Sequence, residues 1–151
     1  MKKFKFRLET LLKLREQDED EKKRAVGQLV SEIHEQQREA LEMDAQLQQE
    51  GGLLKEKYLQ GNVDLDWVSH YRGFVTSVQN AINKRIANVT KIQGKLNLAR
   101  TELAQAARQK KVLEKLKEKK QKRYDAAVRQ QELLVSDEMA TQLYLRQRQL
   151  S

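Results

Sequence analysis

Neither cysteine nor proline occurs among the 151 residues, glycine appears only six times, and aromatic side chains make up 5%. Without cysteine there is no disulfide framework, no thiolate nucleophile and no cysteine-based zinc site, a composition compatible with a reducing compartment. Without proline little interrupts a helix, since each interior proline costs about 3 kcal/mol. No apolar run approaches the roughly 20 residues needed to span a bilayer. At the N-terminus Phe4, Phe6 and Leu8 alternate with basic residues, and no continuous apolar region or small-residue cleavage site follows. A soluble, unexported, cytoplasmic protein is the expectation. His34 and His70 are isolated and lack metal-ligand spacing. No glycine-rich phosphate loop is present, and no serine has a base in a concave site. An enzyme is therefore not expected, and no catalytic, cofactor-binding or metal residue is assigned.

What the chain does have is charge, at 34% of residues, and an apolar stripe with a seven-residue period. One set of positions reads Val68, Val75, Ile82, Val89, Leu96 and Leu103; the other reads Tyr71, Val78, Arg85, Ile92, Ala99 and Ala106. Arg85 is the one polar member, and a seam this narrow faces a single partner helix. A second stripe, Val26, Ile33, Ala40, Leu47 and Leu54, precedes it, with Leu29, Val30, Met43 and Tyr58 in support, and Gly51 and Gly52 are expected to loosen that helix near its end. Between the stripes, Gly61 and Asn62 tolerate left-handed backbone, and Asp64 or Asp66 can cap a new helix. The fold expected is all-α: a single coiled-coil domain over 1–151 in which two long helices form an antiparallel hairpin. Helix one spans about 4–60, the turn about 61–65 and helix two about 66–148. With a turn near residue 62, facing residues carry numbers that sum to about 124. Helix two then overhangs beyond about residue 120, and its C-terminal part frays unless a partner orders it.

Four stretches invite a functional reading. Trp67, Phe74 and Ala81 are seven apart and flank the seam, so Trp67 and Phe74 either widen the core by folding over Leu53, Leu54 or Tyr58, or the three form an aromatic docking strip. Residues 15–24 are nine-tenths charged, and suit either a solvated helix with acids four residues ahead of bases or a partner contact. Residues 108–123 hold nine Lys or Arg against two Glu. That segment is either a solvated face or a surface for an acidic protein. Nucleic acid fits poorly, because the hairpin offers neither a forked basic dimer nor a stacking platform. Membrane fits poorly because Val112, Leu113 and Leu116 are expected in the seam. Phe4 and Phe6 suit a packing cap or a docking contact equally.

The opening FKFRLETLLKLRE (4–16), the aromatic start of helix two at Trp67, Tyr71 and Phe74, and the late QELLVSDEMA (131–140) together resemble the FliJ family of flagellar type III export proteins. The resemblance implies a non-enzymatic component that binds the hexameric export ATPase as a rotary stalk does and also contacts the cytoplasmic domain of the export-gate membrane protein. Such a protein would sit at the cytoplasmic face of the inner membrane through its partners alone. It implies gate contact at Phe74, Val78, Ala81 and Arg85, with Trp67 beside them; Arg85 departs from the more neutral residue expected there. ATPase-ring contact is assigned to Leu8, Leu11, Arg108, Lys115, Lys119, Lys122, Arg123 and Tyr124. Whether substrate chaperones also bind stays open. The competing reading from another class is a general coiled-coil scaffold or tether.

Overall fold

Helix propensity unbroken by proline gives two long elements. The computed structural model describes residues 2–61 and 64–150. Helix α1 is Glu9–Leu59, of 51 residues, and α2 is Leu65–Leu150, of 86. No strand occurs among the described residues, and the two helices pack against each other as an all-α hairpin. Helix α1 runs through Gly51 and Gly52 as one continuous element. After it, the Gly61 N–H donates to the Tyr58 carbonyl at 3.1 Å with Gly61 in the left-handed region at φ 75°. Asp64 Oδ1 accepts from the Asp66 N–H at 3.4 Å, as a capping side chain does. Asn62, the other expected turn residue, lies outside the described residues.

The described residues form two compact units, one running Asp20–Ala104, the other joining residues up to Glu19 with those from Gln105 onward. In the first, Ile33 and Leu96 are buried. Val68, Tyr71, Val75, Val78, Ile82, Val89 and Ile92 are half-buried along the seam, as expected where one helix covers one stripe. Lys22 pairs with Glu102 at 3.4 Å and Arg85 with Glu39 at 3.0 Å. Both pairs have the numbering sum expected of the antiparallel register.

In the second unit the first helix starts at Glu9, not near residue 4. The segment before it continues along α2 without helix, and Phe6 is buried there with Leu12 and Leu113, while Phe4, Leu8, Leu11 and Leu116 pack around this core. Phe4 lies 5.7 Å from Tyr124, ring centre to ring centre, and the Tyr124 hydroxyl donates to the Lys2 carbonyl. Phe4 and Phe6 are thus a packing cap. It extends the cover of α2 past residue 120, and Ala127 and Val128 are still half-buried; from residue 129 to 150 every side chain is exposed.

Candidate functional site

The aromatic strip belongs to the Asp20–Ala104 unit. Trp67, Phe74 and Ala81 are half-buried at the flank of the seam. Trp67 stacks on Tyr71 with ring centres 5.7 Å apart and planes 11° from parallel. On its other side the Lys57 ammonium sits 4.6 Å from the indole centre, a cation–π contact. Of the three residues the strip could fold over, Tyr58 is 73% exposed and Leu54 is half-buried. Trp67, His70, Tyr71 and Phe74 line one side of a shallow groove of about 290 Å³ whose far wall is Gln46 and Glu50. The groove therefore offers an apolar floor with an acidic and amide rim.

Val78, Ala81 and Arg85 continue half-buried along α2. Arg85 is the polar interruption of the stripe, and α1 answers it: its guanidinium donates to Gln36 Oε1 at 3.4 Å and pairs with Glu39. A long cation at a seam position leaves space beside it. A second groove, of about 490 Å³, opens there between Ala40, Leu41, Ile82, Arg85, Ile86 and Val89. Leu41 and Ile86 are 70% and 56% exposed. Sequence reasoning missed both, although each follows directly after a weak seam residue, Ala40 or Arg85.

The other set of candidates lies wholly in the unit with the termini. Leu8 and Leu11 pack on the Phe6–Leu12–Leu113 core, and Tyr124 is engaged by Phe4 and Lys2. These three are structural before they are anything else. By contrast Arg108, Lys115, Lys119, Lys122 and Arg123 are exposed. Among the described residues Lys122 pairs with the neighbouring Glu118 on its own helix, at 3.2 Å. Arg108, Lys115, Lys119 and Lys122 share one face of α2 at 100° per residue, within an arc of about 60°. Val112 lies on that face and is 66% exposed, so it is not in the seam where it was expected. The face is a basic stripe with an apolar side chain set into it.

The charged segment 15–24 is not simply a solvated face. In the terminal unit Arg15 donates to Gln109 Oε1 at 3.0 Å, and Glu19, only 5% exposed, pairs with Lys110 at 2.9 Å. The Lys110 ammonium is held above its usual range chiefly by that hydrogen bond, with further attraction from Glu19, Glu114 and Glu16 outweighing its desolvation. The seam is maintained here by polar pairs.

Among the described residues no cluster of His, Cys, Asp or Glu could hold a metal ion, and no helix is long and apolar enough to cross a membrane. The family model described as Flagellar FliJ protein matches residues 4–149. No curated protein and no solved structure matches the chain.

Proposed function

The chain belongs to the FliJ family of flagellar proteins, which gives it a flagellar, export-related role, and from that premise we propose that it acts without catalysis by holding two partners. One is the hexameric export ATPase, taken by the basic stripe Arg108, Lys115, Lys119, Lys122 and Arg123. The other is the cytoplasmic domain of the export gate, taken by the strip Trp67, Phe74, Val78 and Ala81, with Arg85 at its end. The protein itself then stays at the cytoplasmic face of the inner membrane through these contacts.

The observation that carries this reading is the contrast between the two sets. Exposed cations on one face, mostly without an ion-pair partner among the described residues, are suited to an acidic protein surface. Half-buried aromatics beside a groove are suited to anchor an apolar one. Leu8, Leu11 and Tyr124 support the ATPase contact indirectly, by fixing the helix that presents the stripe.

The test is the rate of ATP hydrolysis by the purified export ATPase with and without this protein at matched ionic strength. Stimulation is expected. Reversing Lys115, Lys119 and Lys122 to glutamate should weaken binding by about tenfold or more at low salt, with the gap narrowing as salt is added. Unchanged binding by the reversed variant sinks the basic stripe as the contact.

A further inference from the structure

Beyond Val128, α2 exposes a row of large apolar side chains, from Val135 at 48% to Met139 at 62% and Leu150 at 89%. Exposed apolar area of this extent on one helix is unusual for a chain that acts alone. Its arrangement is more informative than its size. Val128, Val135, Met139, Leu143 and Leu150 lie with Glu132 and Arg146 inside an arc of about 80°, at 100° per residue. In order along the helix these seven are spaced 4, 3, 4, 4, 3 and 4 residues apart, a series that reads the same from either end. The mean step of about 3.67 residues is that of an 11-residue repeat, so two such stripes stay in register without left-handed supercoiling.

We propose that a second copy of this chain covers the stripe, in an antiparallel two-fold homodimer centred on Met139. In that arrangement Val128 meets Leu150, Val135 meets Leu143, and Met139 meets itself. Glu132 meets Arg146 twice, once on each side of the axis, as an isologous interface requires. Neither Glu132 nor Arg146 has an ion-pair partner among the described residues. The parallel alternative aligns the same apolar residues but sets Glu132 against Glu132 and Arg146 against Arg146. Charge therefore selects the antiparallel dimer and rejects the parallel one.

Sedimentation equilibrium of the full chain, from about 1 to 100 µM at low ionic strength, reads this directly, because a micromolar association crosses its midpoint in that range. The mass is expected to rise from 17.7 kDa towards twice that value. Glu132→Arg or Arg146→Glu alone should raise Kd about tenfold, and the double reversal should return it to within about threefold of the parent. All these positions are exposed, so folding is not at stake, and circular dichroism verifies it. A second readout uses the absence of native cysteine. Met139→Cys should form a disulfide-linked dimer under diamide, which accepts the two electrons and two protons, while Leu133→Cys, about 120° away around the helix, should not. A chain that stays monomeric at every concentration overturns the proposal. So does a double reversal no better than the singles, or cross-linking through Leu133→Cys as efficient as through Met139→Cys.

Discussion

Lys110 shows what a single residue adds and when. It pairs with the buried Glu19 carboxylate across the helix pair, so removing the ammonium withdraws a compensating charge from a desolvated acid. Lys110→Met should lower the urea midpoint at neutral pH. Adding Glu19→Leu should recover most of the loss, because an apolar pair of similar volume avoids desolvating two charges. The pH dependence has a definite sign. A lysine whose folded-state pKa lies above its ordinary 10.5 stabilises fully below that value and loses the contribution as pH rises through the folded pKa. The advantage of the parent over Lys110→Met should thus be level from pH 7 to about 10 and shrink above 10.5; an advantage that grows in alkali would refute the assignment. Neither this pair nor the role of Arg85 was legible from local sequence. Four-residue spacing suggests acids paired along their own helix, whereas Glu19 and Lys110 are partners only through the register of the hairpin.

At the scale of elements, the helices, their antiparallel register and the half-exposed aromatic flank were all readable, because a seven-residue apolar period and a proline-free composition leave few alternatives. The start of α1 was not. Leu8, Leu11 and Leu12 have helical spacing, but the chain before Glu9 lies along α2 without helix, with Phe6 buried beside Leu113, a tertiary gain that periodicity does not encode. Gly51 and Gly52 leave α1 continuous. Their cost remains and can be recovered. A Cβ at Gly52 meets no atom within 4 Å, so Gly52→Ala should stabilise by about 0.5–1 kcal/mol. At Gly51 the added carbon would lie 3.2 Å from the Tyr71 hydroxyl, so Gly51→Ala should gain less and shift the tyrosine beside the aromatic groove. Urea unfolding of the two variants gives the order; a larger gain at Gly51 would contradict the packing described.

For the whole molecule, the informative fact is that the two candidate surfaces fall in different compact units. Every residue assigned to the ATPase contact lies before Glu19 or after Gln105, and every residue assigned to the gate lies within Asp20–Ala104. Yet α1 and α2 each run continuously through both units. The surfaces are therefore chemically separate while sharing a backbone, and they should be separable by mutation. Phe74→Ala removes an anchor that is half-buried and outside the main core. It should weaken binding to the gate domain by about tenfold or more and leave stimulation of the ATPase within about twofold, since sites that share no contact partners act independently. The Lys115, Lys119 and Lys122 reversal should do the opposite. Titration calorimetry against the isolated gate domain, set beside the ATPase assay, reads both. If each variant damaged both activities equally while the circular dichroism stayed unchanged, one common surface would have to serve both partners. The division of labour drawn from charge and aromaticity would then fail. If the losses separate, export should still fail in cells carrying either variant, because the proposed coupling requires both contacts in one chain.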